Sequence, residues 1–161
     1  MNRRYTTEQF EHIVKLLRNT YEDVNLTTDI IVGFPGETEE EFNKTYEFLK
    51  KIKFYKMHIF KYSPRKGTKA AVMENQIQGN VKEIRSKKLI ELSDKNELEY
   101  NYKYIGKKVE VLFEEEKNGI YKGHTQNYIM VYCKAEQSLE NKLEEVTCLS
   151  AEEEYINAMK M

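Results

Sequence analysis

The chain has 161 residues, of which 33% are charged and 40% hydrophobic, and 26 Lys and Arg against 27 Asp and Glu leave a net charge of −1. These values predict a soluble globular protein of one ordinary domain or two small ones, and they exclude nucleic-acid binding through overall charge. No apolar run is long enough to span a bilayer, and the first residues lack the apolar stretch of a signal peptide. We therefore expect a cytoplasmic protein with no membrane partner.

The first sixty residues predict alternating helices and strands. Thr6 with Gln9, and Thr38 with Glu41, each form the pattern of a capping box ahead of apolar residues at helical spacing. A strand, a helix and a second strand in this order predict a βαβ unit with parallel strands. The predicted elements are helices over about residues 7–19 and 39–52 and strands at 26–32 and 57–61.

The middle of the chain predicts a loop and then a long helix. Residues 63–80 contain two glycines and a proline, and loops of this length in compact proteins are usually functional or disordered. Residues 81–104 lack Gly and Pro and are rich in Lys, Glu and Leu, so they predict one amphipathic helix that ends at Gly106. Its Lys and Glu residues are expected to form a solvated face.

After Gly106 the hydrophobic period changes from 3.6 to 2, which predicts strands. Asn118-Gly119 is a hairpin signal, and four or five short strands in about 45 residues predict a small β-barrel, an architecture that oligonucleotide binders often use. Residues 151–161 are predicted to form a short terminal helix. The predicted organisation is an α/β part over 1–80, a linker helix over 81–103, the barrel over 104–150 and the tail over 151–161.

The two cysteines, Cys133 and Cys148, have neither the spacing of a zinc motif nor that of a redox pair. We interpret them as structural thiols on strands in a reducing compartment, with a disulfide or a metal role as the alternative. The sequence therefore predicts no metal site.

The α/β part contains only two predicted strands. A parallel sheet is normally buried on both faces and is built from several βα units. We interpret the chain as the C-terminal portion of a longer protein, cut inside an α/β barrel or sheet. Because the two strands then have unpaired edges, we expect a homo-oligomer formed through them.

Three segments in order resemble one family: residues 1–6, Met-Asn-Arg-Arg-Tyr-Thr; residues 28–38, Thr-Asp-Ile-Ile-Val-Gly-Phe-Pro-Gly-Glu-Thr; and residues 58–71, which begin His-Ile-Phe-Lys-Tyr-Ser-Pro-Arg. They resemble the tRNA methylthiotransferases of the radical S-adenosylmethionine superfamily. Residues 123–128, Gly-His-Thr-Gln-Asn-Tyr, resemble the TRAM domain, an RNA-binding barrel of these enzymes. His58 and residues 123–128 favour the subfamily that modifies threonylcarbamoyladenosine, with the isopentenyladenosine branch second.

The resemblance implies an α/β plus all-β fold: the C-terminal part of a radical-SAM partial TIM-like barrel, a linker helix and a TRAM β-barrel. Complete members use S-adenosylmethionine and two [4Fe–4S] clusters to place a methylthio group on an adenine beside the anticodon. Their clusters are held by three N-terminal cysteines and by a Cys-x3-Cys-x2-Cys loop, and this chain has neither set. We therefore expect this chain to have no catalytic residue and no bound cofactor, and to perform no catalysis alone. We expect its partner to be the anticodon stem-loop of tRNA.

The turn at residues 33–38 has two interpretations. From the residues alone it is a tight strand-to-helix connection, whose glutamates suit the positive end of the helix dipole and disfavour a phosphate ligand. The resemblance implies instead one wall of an S-adenosylmethionine pocket. His58 is interpreted as a structural histidine, with a substrate or cofactor contact as the alternative. The expected cofactor-binding residues are Val32, Gly33, Phe34, Pro35, Phe60 and Tyr62.

Candidate tRNA contacts lie in the loop and in the barrel, where aromatic, basic and amide side chains suit base stacking and phosphate binding. The alternatives are a solvated turn and a plain barrel surface. Residues 104–150 contain six Lys and eight Glu, a net charge of −2, so we expect the lysines to gather on one side, away from Glu114, Glu115, Glu116, Glu144 and Glu145. The candidates are Arg65, Lys66, Lys107, Lys108, Tyr121, Lys122, His124, Thr125, Asn127 and Tyr128.

Two other function classes compete with this interpretation. One is a stand-alone RNA-binding or adaptor module that performs no chemistry. The other is a small α/β nucleotide-binding protein, which the lack of a Gly-rich phosphate loop disfavours.

Overall fold

The computed structural model describes residues 3–160, which form two compact units. The first unit contains the chain up to Glu22 and residues 26–93, and the second contains Asp23–Asn25 and the chain from Asp94 onwards. The elements are α1 (Thr7–Thr20), β1 (Thr27–Val32), α2 (Glu39–Ile52), β2 (Lys56–Lys61), α3 (Gly79–Asn101), β3 (Lys108–Lys117), β4 (Ile120–Thr125), β5 (Met130–Lys134), β6 (Lys142–Ala151) and β7 (Ile156–Met159), with short 3-10 helices at Lys69–Val72 and Tyr102–Tyr104.

The first unit is built on the predicted βαβ arrangement. Both capping boxes form, at Thr6 and Thr38, and β1 pairs with β2 in parallel, so these predictions are confirmed. Val32 from β1, Met57 from β2 and Leu89 from α3 are among the buried residues of one hydrophobic core, to which α1 and α2 also contribute. That the unit is part of a TIM-like barrel stays a prediction.

The two faces of the β1–β2 sheet differ. The register pairs Ile30 with Ile59, and both pack against the core. The opposite face pairs Asp29 with His58 and Ile31 with Phe60, and all four of these residues are exposed. His58, interpreted above as a structural histidine, is therefore at the surface of this unit.

The second unit is the predicted small β-barrel. Its five strands close in the order β3-β4-β5-β7-β6, with β5 and β7 parallel and the other pairs antiparallel. Asn118 and Gly119 both have positive φ at the β3–β4 turn, as the hairpin signal predicts. Inward-facing residues such as Val111, Phe113 and Val131 are fully buried, which explains the alternating sequence pattern.

One prediction is wrong. The tail is not a helix: Ile156–Met159 is strand β7, and Ile156 and Ala158 are buried because they face the barrel interior. On the long helix most Lys and Glu residues are exposed, as predicted, and Glu97 is the buried exception. Arg85, Ser86, Ser93, Asn96 and Glu97 are buried, since α3 packs on other elements of the fold.

Candidate functional site

An ion pair between Arg85 and Glu37, whose side chains are largely buried, fixes the turn after β1. Gly33 and Gly36 have φ of +71° and +86°, conformations that favour glycine. The Gly33 N–H donates to Glu37 Oε2 over 2.7 Å, and Arg85 Nη1 donates to the same oxygen over 2.7 Å and to the Glu37 carbonyl over 3.0 Å. Arg85 Nη2 also contacts Glu39 Oε2 at 3.1 Å. The turn therefore has a fixed shape.

Aromatic rings and a lysine lie beside this turn. The Phe34 and Tyr62 rings pack edge to face with centroids 5.3 Å apart. Lys82 Nζ donates to the Tyr62 carbonyl over 3.0 Å, and a Cβ on Gly33 would overlap Lys82 Cγ. Tyr62 N donates to Val32 O over 2.9 Å, which continues the β1–β2 pairing past the strand ends. These groups together form a defined surface at the carboxyl end of the sheet.

A cavity of about 800 Å³ lies in the first unit. Its lining includes Phe34 and Pro35 from the turn, Asp29 and Ile31 from β1, and aromatic residues of α1 and α2. The carboxyl ends of parallel strands are the usual ligand positions in α/β proteins. Two of the six expected cofactor-binding residues therefore line a space large enough for a small molecule.

The other four expected cofactor residues have different environments. Val32 is 1% exposed and belongs to the core, and Gly33 uses its N–H for Glu37. Phe60 is 52% exposed on the open sheet face. Tyr62 is half-buried, and its hydroxyl is a buried polar atom with no hydrogen-bond partner among residues 3–160. This orphaned hydroxyl makes Tyr62 suited to a polar ligand.

Iron–sulfur clusters do not fit the cysteines that are present. Cys133 on β5 and Cys148 on β6 are buried and free, as structural thiols would be. Burial raises the pKa of Cys133, and it raises the pKa of Cys148 to about 11, whereas cluster ligands are thiolates. Across residues 3–160, no group of three or more His, Cys, Asp or Glu side chains is arranged to hold a metal ion.

The expected separation of lysines from glutamates on the barrel is wrong. Lys108 Nζ lies 2.8 Å from Glu145 Oε1, and Lys122 Nζ lies 3.7 Å from Glu115 Oε2. The His124 ring contacts Glu114 at 2.6 Å. The reason is the strand register, which pairs Glu115 with Lys122 and brings β6 glutamates beside β3. The barrel therefore has no purely basic face among these side chains.

The predicted RNA-contact residues of the barrel divide into core and surface groups. Tyr121, predicted to contact tRNA, is instead buried and packs edge to face against Phe113, so its ring is not accessible to a base. Asn127 and Thr125 build the β4–β5 connection: Asn127 Nδ2 donates to Tyr104 Oη over 2.8 Å, and Thr125 Oγ1 donates to Asn127 Oδ1 over 2.7 Å. The candidates that are exposed or partly exposed are Lys107, Lys108, Lys122, His124 and Tyr128.

Arg65 and Lys66 lie in an exposed turn ahead of the 3-10 helix at Lys69–Val72, where Thr68 N donates to Arg65 O over 3.1 Å.

Sequence reasoning missed Lys82 and Arg85. Both lie on the long helix, whose Lys and Glu residues were predicted to form a solvated face, and the sequence carries no signal that these two side chains face the turn.

No family model matches the chain. The threonylcarbamoyladenosine tRNA methylthiotransferase MtaB of Bacillus subtilis (strain 168) is 42% identical over 156 residues, which are 94% of this chain and 35% of that protein. The chain is homologous to part of the tRNA methylthiotransferases.

Relatives whose names give a different substrate have about the same sequence identity to this chain. The tRNA-2-methylthio-N(6)-dimethylallyladenosine synthase of Acetivibrio thermocellus is 42% identical over 89% of this chain and 30% of that protein. That of Aquifex aeolicus is 41% identical over 94% of this chain and 34% of that protein. The chain thus spans about a third of the length of these methylthiotransferases, and identity alone does not separate the two substrates. No helix among residues 3–160 has the length and apolar character needed to cross a membrane.

Proposed function

We propose that the chain is the C-terminal part of a cytoplasmic tRNA methylthiotransferase that acts on N6-threonylcarbamoyladenosine next to the anticodon. The observation that supports the assignment to a methylthiotransferase is the 42% identity to MtaB over 94% of the chain. The choice of threonylcarbamoyladenosine rests on the resemblance at His58 and residues 123–128. The fold is consistent with it, because a parallel βαβ unit is followed along the chain by a small closed barrel. Isopentenyladenosine is the second choice of substrate.

In this proposal the first unit supplies one wall of the S-adenosylmethionine pocket. When bound, that cofactor supplies the methyl group of the methylthio product. Phe34 and Pro35 line the cavity beside the strand end, and the Tyr62 hydroxyl offers a hydrogen-bond donor that no residue among those described accepts. The Glu37–Arg85 pair keeps the Gly33 turn in shape. Because Cys133 and Cys148 do not fit a cluster, we propose that the chain alone is inactive.

The tRNA contacts in this proposal are distributed over both units. Arg65 and Lys66 form an exposed basic pair in the loop after β2, and Lys107 is exposed at the start of the barrel. Each such cation contributes to phosphate binding without reading sequence. Base recognition must come from aromatic or amide groups, of which the exposed Tyr128 is the main one on the barrel.

A chimera tests the proposal. In a B. subtilis strain that lacks MtaB, a gene is expressed in which this chain replaces the matching 35% of MtaB. Modified nucleosides of total tRNA are then measured by liquid chromatography and mass spectrometry. We expect the methylthio derivative of threonylcarbamoyladenosine to return, whereas this chain expressed alone restores none.

Two other outcomes would contradict the proposal. A chimera that accumulates, as judged by immunoblotting, but forms no methylthio nucleoside would refute the assignment to a methylthiotransferase. The chimera is also tested in a strain without its own enzyme for isopentenyladenosine. If it methylthiolates only isopentenyladenosine there, that nucleoside, the second choice above, is the substrate.

A further inference from the structure

Tyr128 combines two properties that a plain barrel surface does not require. Its side chain is 77% exposed, and its φ is +68°. Among the described residues, the other non-glycine positions with positive φ are Asp, Asn or Lys, and Tyr128 is the one aromatic. Asn and Gly occupy this conformation with less strain than a bulky residue does. Neither burial nor backbone geometry therefore favours tyrosine at this position.

The exposed ring is held in a stack. The Tyr128 and His124 rings have centroids 4.8 Å apart with an interplanar angle of 24°. His124 is in turn oriented by Glu114, whose Oε2 lies 2.6 Å from Nδ1. Two of the three groups lie on neighbouring strands β3 and β4, so the stack rests on the barrel rather than on a mobile tip.

The connection that carries Tyr128 is fixed by hydrogen bonds. Tyr128 N donates to Thr125 O over 2.9 Å, and Ile129 N donates to Thr125 Oγ1 over 2.9 Å. Asn127 Nδ2 donates to both Asp23 O and Tyr104 Oη. The aromatic ring is therefore presented in one arrangement before any ligand arrives, which lowers the entropy lost on binding.

We propose that the Tyr128–His124 pair is a stacking site for a single unpaired base of RNA. The class of partner rests on the proposed function. One face of the tyrosine is covered by His124, and its high exposure leaves room for a base on the other. The register places Leu112 and Met130 beside His124 on the neighbouring strands, which gives the ribose and the base edge apolar neighbours.

The surrounding charges make stacking the main contribution to binding at this site. Lys108 and Lys122 each contact a glutamate, and so does the His124 ring, so these three side chains already have acidic partners in place of phosphates. Binding through phosphates would give an affinity that falls steeply with salt, with a slope of about −0.7 per phosphate contacted on single strands. A base stacked on an aromatic ring gives a shallow dependence.

Fluorescence anisotropy tests the site with the full chain and a labelled anticodon stem-loop RNA, from about 50 to 300 mM KCl. Tyr128→Leu is expected to weaken binding at least about fivefold, the lower limit for loss of one base stack, whereas Tyr128→Phe stays within about twofold. The matched control is Tyr102→Leu, which removes another exposed tyrosine of the same unit and is expected to have no effect. Circular dichroism verifies that each variant is folded.

The outcomes separate this site from the proposed function. Four results would each overturn the stacking site. Two concern the RNA: no RNA binding by the wild-type chain, or equal binding of a fully paired duplex. The others are an unchanged affinity in Tyr128→Leu and a plot of log affinity against log salt with a slope steeper than about −3. Self-association that depends on Tyr128 would indicate a protein partner instead and would overturn it as well. Product formation by the chimera is an independent result, so either proposal can fail while the other stands.

Discussion

Arg85 on α3 and Glu37 after β1 form a largely buried ion pair, with Nη1 and Oε2 2.7 Å apart and side-chain exposures of 5% and 15%. The same Glu37 oxygen accepts the Gly33 N–H. The turn after β1 and α3 therefore meet at this carboxylate, and Arg85 also contacts Glu39 at the start of α2. Since Arg85 also lies over the Phe42 ring, with its guanidinium carbon 5.2 Å from the centroid, its removal affects both charge and packing.

Arg85→Met is expected to lower the free energy of unfolding of the first unit by about 3 kcal/mol, because it leaves Glu37 charged and partly buried without its cation. Urea unfolding followed by far-ultraviolet circular dichroism measures this, since the helices lie mainly in that unit. Lys44→Met, which breaks an exposed pair with Glu40, is the control and is expected to change stability by less than about 0.5 kcal/mol. Equal effects of the two variants would contradict the role given to Arg85.

The double variant Arg85→Met with Glu37→Gln provides a second check. Removing both charges eliminates the unpaired carboxylate, so part of the lost stability should return. A double variant no more stable than Arg85→Met alone would show that the stability lost with Arg85 does not come from an unpaired carboxylate.

Gly33→Ala and Gly36→Ala separate backbone strain from steric overlap. Both residues have positive φ, so each alanine is expected to cost about 1–2 kcal/mol. At Gly33 the added Cβ also overlaps Lys82, whereas at Gly36 nothing lies within 4 Å. Urea unfolding should therefore show a larger loss for Gly33→Ala, and adding Lys82→Ala should bring it down to the Gly36→Ala value. Equal losses for the two single variants would refute the steric contribution.

Local signals predicted the fold well, and non-local pairing was the source of the errors. The capping residues Thr6 and Thr38 and the Asn118-Gly119 turn act within a few residues, so the sequence shows them directly. Strand β7 is stabilised by parallel pairing with β5 and antiparallel pairing with β6, partners that lie many residues away. The acidic residues before it resemble a helix start, and its four residues are too few for alternation to stand out.

The candidate site was predictable only where its residues form a motif. The turn at residues 33–38 is contiguous, and its shape follows from Gly and Pro. Arg85 lies 48 residues from Glu37, and an arginine in a Lys-rich helix carries no signal of burial. The pairing of Lys122 with Glu115 depends on a strand register with an irregularity between Phe113 and Glu115, which composition does not reveal.

Cys148 gives the barrel a pH dependence. Burial raises its pKa from the ordinary value of 9.0 to about 11, so its contribution to stability is complete below pH 9 and is lost as the pH rises towards 11. The loss amounts to about 2–3 kcal/mol for a shift of this size. Thermal unfolding from pH 7 to 11 should show a steeper decline for the wild type than for Cys148→Ala. Parallel curves for the two proteins would contradict the prediction.

Oligomerisation through the open sheet stays a prediction, and its structural basis is that Ile31 and Phe60, on the sheet face opposite Ile30 and Ile59, are exposed. Unpaired strand edges and exposed apolar residues favour association. Light scattering coupled to size exclusion, from about 10 μM to 1 mM, should show dimers or larger species, and Phe60→Lys should shift them towards monomers. A monomer at every concentration would refute the expectation.

The conformation of Tyr128 predicts a conflict between stability and binding. Tyr128→Asn and Tyr128→Leu both lose the stack on His124, but asparagine tolerates a φ of +68° better than leucine does. We therefore expect the asparagine variant to be more stable than the leucine variant by about 0.5–1 kcal/mol, measured by thermal unfolding, while both bind RNA equally poorly. The control is Leu143→Asn on strand β6, where asparagine is expected to give no gain because strands disfavour it. If asparagine stabilised both positions alike, the gain at Tyr128 would not come from its backbone conformation.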